Sequence, residues 1–511
     1  MEVKTKKKLF KKWWFWLIII LTIGAIGSSL SSEEPKKVGE PKQNVAANKT
    51  ELTEVNSQLA EMAPNGIING KLYLPSEFPA LPFDIFYNNG KYFCDLSAKK
   101  LTSKTATKVY ISCVTGGTGL GSTPSTAITL VRFKSNLTNG LYPGVTDFEL
   151  IFMDKVYVAN GNDFELYNEA IKVTFRSGVG FTWIGRLKTN SKNTNGWTAT
   201  ATSGVYVTTQ TDEEHDVQDI INLSKLNEFG MPYLYTKVTT LDECKLQEGT
   251  FYQDGTKIYQ HAYNFHNYDT AMLAVPNKII SIRQFNERKV VFENLGFTAD
   301  SLYLATDNIL NQLYFINCRF HRGTNDAFGL VGRYQVYSYN CVADYPSKDC
   351  FNYHSFSKDS VAVEINCIGY GAGKHKMTYS GSNTNTVSNN GSTAHNGINV
   401  LRVGCSYWDC EGPIVADIQN CRSVNIGCSA KNIADTCSGE RTAFLITTDI
   451  SQNQSYRTEM CNKYIINCIG GGTNVKYGIV ANSYTKIMNF RGNTNLKGTM
   501  EYIKWEGEVY E

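Results

Sequence analysis

An all-β fold, a right-handed single-stranded parallel β-helix, is what the sequence of 511 residues predicts. Three observations carry that expectation. A phrase of Asn followed by an apolar residue keeps returning in the second half: Asn294-Leu295, Asn317-Cys318, Asn340-Cys341, Asn366-Cys367, Asn467-Cys468 and Asn489-Phe490. Its intervals are 23, 23 and 26 residues from 294 to 366 and 22 from 467 to 489, and a repeat of that length marks a solenoid. The runs before each Asn are rich in Val, Ile, Tyr and Phe and lack the three-four apolar spacing of a helix. Helical repeats are thereby excluded, and three short strands with three turns per coil fit the period.

In such a coil the Asn stacks on its neighbours at a bend, its amide bonding along the column, while the following Cys or Leu points inward. A free Cys behaves as a small buried hydrophobe, which explains why so many of the 14 cysteines share this slot. A disulfide framework is the alternative, with Cys405 and Cys410, or Cys461 and Cys468, as the pairs to test. Residues of one column recur at a rung spacing of roughly 4.8 Å, which makes a stack rather than facing pairs.

The composition, 42% apolar with many Tyr, Phe and Gly, suits a large β protein. A formal charge of +3 gives no nucleic-acid surface. Most of the excess sits at the N-terminus, where residues 1–12 read as a basic cytoplasmic segment. Residues 13–30 follow as a transmembrane helix or signal anchor, near the minimum length for a bilayer core. Trp13, Trp14 and Trp16 suit an interfacial belt, and the lysines before them place the N-terminus inside and the rest outside. A cleaved signal peptide, with Ala25 and Gly27 at its cleavage site, is the competing reading and would give a secreted protein. Residues 31–63 read as a linker and short amphipathic helix. Its Leu52, Val55, Leu59 and Met62 either nucleate a homotrimer or form an ordinary amphipathic turn. Residues 64–104 are a β-rich N-terminal segment, and 105–511 are the β-helix domain.

The run Gly116 to Ser122 superficially matches a dinucleotide loop, but no strand-helix-strand unit surrounds it, so it reads as a turn. With the preceding Val109-Tyr110-Ile111-Ser112 and the following Thr123-Pro124, it resembles the opening strand of the pectin-lyase-like, or pectate-lyase-like, β-helix superfamily. The stretch Gly249 to Gly255 followed by Lys257-Ile258-Tyr259 resembles a hairpin of its bacterial and phage members. Lys348 to His354 and Gly391 to Gly397 are similar to segments of phage tail and cell-surface β-helix proteins, and Val55 to Glu61 to the coiled segments of such tail proteins. The resemblance covers roughly residues 105 to 500. It implies a long prism whose faces contact extended polysaccharide, as lyases, glycoside hydrolases and tailspikes do. A fold of this kind licenses a substrate class and no particular reaction.

The repeat also serves as a ruler. Nine positions past the ladder Asn stand Asp326, Asp349 and His375, which places them in one column on consecutive coils. Two carboxylates about 5 Å apart suit a retaining glycosidase. With Asn325 they could instead hold calcium against a uronate carboxylate. Without metal, a neutralising Asn or His and a Lys or His base would serve a β-elimination. A solvated polar column on a turn is the bland alternative. If Gly404 and Gly427 fill further ladder positions, with Asn420-Cys421 competing for the second, two coils carry about fifteen surplus residues, around Lys374 to Gly397 and Glu440 to Thr458. Loops of this kind wall binding grooves.

These loops bring Lys374 and His395 in as assisting catalytic candidates. Asn325, His354, Arg402, Tyr353, Tyr379 and Trp408 are the substrate-binding candidates. The aromatic residues are there to stack on sugars, and Arg402 pairs either with sugar carboxylates or with Asp409 and Asp417. No zinc signature is present. The functional expectation is a membrane-anchored protein of the bacterial cell surface, a lyase or hydrolase of an acidic or cell-surface glycan. The alternative is a non-catalytic adhesin or tail-fibre-like module.

Overall fold

The computed structural model describes residues 70–503, apart from 160–163, 167–170, 186, 189–195, 210–216, 218, 275–277, 283–288, 305–309, 356, 376–388 and 448–460. Three parallel ladders hold most of the strands. One coil shows the plan. Tyr334–Tyr339 belongs to the first sheet, Val342–Asp344 to the second and Phe351–Ser355 to the third, after which Val361–Ile365 returns to the first sheet one rung on. The first sheet starts at Thr107–Ile111 and the second at Val156–Val158. The first and third both end within Leu496–Tyr502. Among the described residues no helix is long and apolar enough to cross a membrane. The expected span at 13–30 and the amphipathic helix within 31–63 lie outside them.

The bends follow from the asparagines. Asn294, Asn317, Asn340, Asn366, Asn467 and Asn489 all take positive φ between 49° and 56°, a region that Asn enters more readily than most residues. Their amides join along the column. Nδ2 of Asn317 donates to Oδ1 of Asn294 at 2.6 Å, Asn366 to Asn340 at 3.3 Å and Asn489 to Asn467 at 2.8 Å. Gly404 and Gly427 fill the slot between, at φ 63° and 62°. Glycine is required there because Tyr92 crosses the column: a Cβ at Gly404 would stand 2.7 Å from its ring, and one at Gly427 2.6 Å from its hydroxyl.

The next residue enters the core. Cys318, Cys341, Cys367, Cys405, Cys428 and Cys468 form one buried column, and none of the 14 cysteines forms a disulfide, the pairs 405/410 and 461/468 included. Each thiol of the column donates to a carbonyl of the preceding rung, as Cys341 Sγ does to Phe315 O at 3.4 Å.

First-sheet strands read as unbroken apolar runs because both of their faces are buried. Val336 points into the coil, whereas Tyr337 and Tyr339 point outward under the N-terminal segment. That segment lays Leu72, Phe78, Ile85, Tyr92 and Leu96 over Tyr314, Val363, Leu401, Val424 and Tyr464. Its hairpin, Ile85–Asn88 with Lys91–Cys94, turns through Asn89 and Gly90, both at positive φ, the geometry that matches strand twist in a two-residue loop. The helix Leu130–Thr138, capped by Thr129 Oγ1, closes the N-terminal end of the core with Leu130 and Phe133.

One element lies outside the repeat. After Thr182–Gly185 the chain leaves the coil, and residues 187–274 build an insertion before the coil resumes at Ile280–Ile282. The insertion has a five-stranded sheet, antiparallel except for one pair, and its own core of Trp197, Ile220, Tyr235, Phe251, Ile258 and Leu273. The expected hairpin is part of it, Thr250–Asp254 against Lys257–His261. The insertion covers the outer face of the second sheet, where Leu223, Phe229 and Met231 pack on Trp183, Val342, Tyr370 and Trp408.

Candidate functional site

Two of the three outer faces are thus occupied. On the third sheet Phe328, Leu330, Phe351, Tyr353 and Ala394 point into the core, which turns Val331, then Asn352 and His354, then Thr393 and His395 outward on successive rungs. None of the hydrophobic clusters among the described residues includes an outward residue of this sheet. In sequence, residues 376–388 precede the strand Ser392–Asn396 and 448–460 follow Thr442–Ile446, and both stretches lie outside the described residues.

Asp326 and Asp349 end the turns that lead into this sheet. The pairing of Phe328 with Phe351 sets the two acids on adjacent rungs, roughly 4.8 Å apart by strand spacing. Asp326 accepts from the Asp349 backbone N–H at 3.3 Å and from Nδ2 of Asn352 at 3.0 Å. Asp349 accepts from the Asn390 N–H at 2.6 Å. Asp300, one coil earlier, accepts the Thr324 N–H in the same manner. Burial pushes the Asp326 carboxyl up to about 6 against the pull of those donors and of Lys348. The Asp349 carboxyl is also raised well above its ordinary range, through burial first and then the charge of Asp326. The two therefore titrate as a pair.

The imidazoles behave in the opposite way. His354 and His395 face each other across the rungs as a parallel stack, with centroids 4.0 Å apart and planes within 7°. Burial lowers His354 to about 4, assisted by Lys348, and lowers His395 to about 3, assisted by His354. Both rings are uncharged at neutral pH, and a base that weak accepts few protons there. Thr393 Oγ1 lies 3.2 Å from Nε2 of His395 and donates to Ala416 O at 3.0 Å.

Other sequence candidates lie elsewhere. Asn390, not His375, stands over Asp349, because the surplus residues of that coil come before its third strand rather than after it. His375 sits in the preceding turn, where its carbonyl accepts from Ser347 Oγ at 2.7 Å and its Nε2 lies 3.3 Å from Nη1 of Arg322. Lys374 is ion-paired with Asp409.

Arg402 points inward and is fully buried, so no sugar reaches it. Its Nη1 meets Asp417 at 2.7 Å, as the second reading of this residue had it, and Asn425 at 3.1 Å, while Nε meets Ser392 at 2.7 Å. Glu364 completes this interior network, and burial pushes its carboxyl up to about 8. Tyr353 is likewise a core residue. Trp408 lies on the second sheet, stacked on Tyr370 at 4.9 Å and against Phe229 of the insertion. Asn325 is exposed at the turn, and Tyr379 lies outside the described residues.

Each oxygen of Asp326 already accepts an N–H, from Asp349 and from Asn352. Among the described residues no three His, Cys, Asp or Glu side chains converge to hold a metal. Sequence reasoning missed Asn352, Thr393 and Asn390, whose positions follow only from the strand register.

Two solved structures resemble the chain. The A-module of a mannuronan C-5 epimerase from Azotobacter vinelandii is 11% identical, over 73% of this chain and 92% of that one, with a TM-score of 0.30. The receptor-binding protein of bacteriophage Det7, a podoviral tailspike in a myovirus, is 10% identical, over 80% and 77%, with a TM-score of 0.20. No family model matches the chain, and no curated protein does. The class stands on the chain's own three ladders: this is a parallel β-helix.

Proposed function

We propose that the chain acts on an extended acidic or cell-surface polysaccharide lying along the outer face of its third sheet. The observation that carries this reading is the acid pair Asp326 and Asp349 beside the uncharged stack of His354 and His395, on the outer face that neither the N-terminal segment nor the insertion covers. Carboxyls raised by burial, Asp326 to about 6 and Asp349 well above its ordinary range, are suited to trade protons close to neutral pH. Their spacing of about one rung is near the 5–5.5 Å of retaining hydrolysis. The neutral imidazoles and Thr393 offer hydrogen bonds to sugar hydroxyls. A lyase would use the same pair to hold and protonate a uronate carboxylate while a nearby base takes the α-proton.

A second reading has its own observation. Asp300, Asp326 and Asp349 each cap a backbone N–H of the next coil, a structural duty that needs no reaction. On that reading the face binds glycan without cutting it, as an adhesin or tail-fibre-like module would. The anchor at 13–30, display on the bacterial surface and a homotrimer are part of the proposal on sequence grounds alone.

Incubation with a panel of acidic and neutral polysaccharides, with and without chelator, separates these readings. New reducing ends without unsaturated sugar mean hydrolysis, ultraviolet-absorbing unsaturated ends mean elimination, and retained binding without either means the second reading. Asp349→Asn is expected to cut turnover about 10²–10⁴-fold while glycan binding survives. Full activity in that variant removes the pair from the mechanism.

A further inference from the structure

The outer face of the second sheet holds a buried ionic cluster that the proposed site does not use. His321 closes the strand Arg319–His321 and points away from the core-facing Phe320. Its Nδ1 lies 2.7 Å from Oδ1 of Asp344 on the next rung, and its Nε2 lies 3.3 Å from Oδ2 of Asp219 on the insertion. Arg322 ion-pairs with the other oxygen of Asp219, and its Nη2 donates to the carbonyl of Tyr235, also on the insertion, at 2.8 Å. Tyr370 donates to Asp344 at 3.1 Å and accepts from Asn227 of the insertion at 2.9 Å. The side chains of His321, Arg322, Asp219 and Asp344 are no more than 1% exposed, so no substrate reaches them.

A neutral imidazole has one N–H, and this ring faces a carboxylate at each nitrogen, so only the imidazolium serves both. With His321 charged, two cations balance two carboxylates. Without that proton one negative charge is left uncompensated where water does not reach, and such burial is costly. We propose that His321 is a proton-dependent latch that holds the insertion, residues 187–274, against the second sheet and releases it as pH rises.

The remaining groups facing the cluster do not supply this titration. Burial raises the phenols of Tyr235, Tyr263, Tyr345 and Tyr370. His266, bonded to Tyr235 on the insertion, is lowered by burial and stays neutral. Arg319 and Arg322 remain cationic. Glu248 of the insertion and His375 of the neighbouring turn complete the surroundings. At His321 burial opposes the charge, but Asp344 and Asp219 outweigh it and raise its affinity for the proton. A raised imidazole contributes its full stability below its ordinary range, about pH 6.5, and loses it as pH climbs through the folded value.

Hydrogen exchange of the whole chain, corrected for the chemical rate at each pH, tests the latch, with Asp219–Tyr235 compared against the first-sheet strand Arg422–Ile426. Opening of Asp219–Tyr235 is expected to rise about tenfold per pH unit above about pH 6.5 while the reference strand stays protected. His321→Asn should flatten that slope. Tyr370→Phe, which leaves the four charges in place, should keep it. Should His321→Asn fail to fold, the ring resonances of ¹³C-labelled histidine in the native chain still decide, because His321 must titrate above free histidine. A flat native profile, an unchanged slope in His321→Asn, a slope lost in Tyr370→Phe, or a His321 titration at or below that of free histidine would each overturn the latch.

Discussion

The outer faces of the second and third sheets carry the same residue types at outward positions and use them in opposite ways. On the second, His321 sits between Asp344 and Asp219, whose charges outweigh burial and raise its affinity for a proton. On the third, His354 and His395 stack on each other with no carboxylate among the neighbours that shift them, and burial keeps both neutral. The acids diverge in the same way. Asp219 has Arg322 and His321, whereas Asp326 has Asp349 beside it and only amides and a more distant Lys348 to offset the repulsion. Burial is common to both faces, so partners decide the charge state. Matched charge docks an insertion, and unmatched acid stores protons that chemistry could use.

The largest effect is expected where that match is broken. Arg322→Met removes one cation from the latch and leaves Asp219 facing a single imidazolium shared with Asp344. Losing one member of a buried ion set costs about 3–5 kcal/mol, to be read as a drop in the denaturation midpoint of the insertion. A loss below about 1 kcal/mol would mean that water already reaches the cluster and that the two faces are more alike than their geometry.

How much of this was legible in the chain depends on what each residue type must do locally. The coil was legible because Asn tolerates the left-handed bend, so it recurs at every turn where nothing crosses the column, and Gly replaces it where Tyr92 does. The acid pair was legible because no surplus residues separate Asn317 from Asp326 or Asn340 from Asp349. The same ruler failed at His375, since residue 349 aligns with 390 and the extra length falls before the strand. Arg402 and Tyr353 failed for another reason. Alternation shows that neighbours face opposite ways without naming the inward set, and this core accepts Glu364, Arg402 and Asp417 because they satisfy one another. The insertion was opaque because its antiparallel strands carry no repeat. A middle-sized effect tests the legible part. Asn340→Ala should cost about 1–2 kcal/mol for the left-handed backbone alone, with about 1 more for the lost amide bond to Asn366, as a shift in the global denaturation midpoint. A cost confined to the backbone part, about 1–2 kcal/mol, would mean that the ladder is a by-product of the bend.

The smallest expected change sharpens the contrast most. Asp326→Asn removes a carboxyl that is already held up to about 6, so below about pH 4 native and variant chains carry the same charge there. A carboxyl with a raised folded value binds its proton more tightly when folded. The native chain therefore loses stability as pH rises from the ordinary Asp range, about 3.9, to about 6, and levels off above that. The amide escapes this loss. Its oxygen still accepts the Asp349 N–H, but its nitrogen meets Nδ2 of Asn352, which has to turn over, and that offsets most of the gain. The variant should thus equal or exceed the native chain by no more than about 1 kcal/mol at neutral pH, with the gain absent in acid. A loss of several kcal/mol instead, of the size expected for Arg322→Met, would make Asp326 a matched structural charge like Asp219. The third face would then be a second scaffold rather than a reserve of protons.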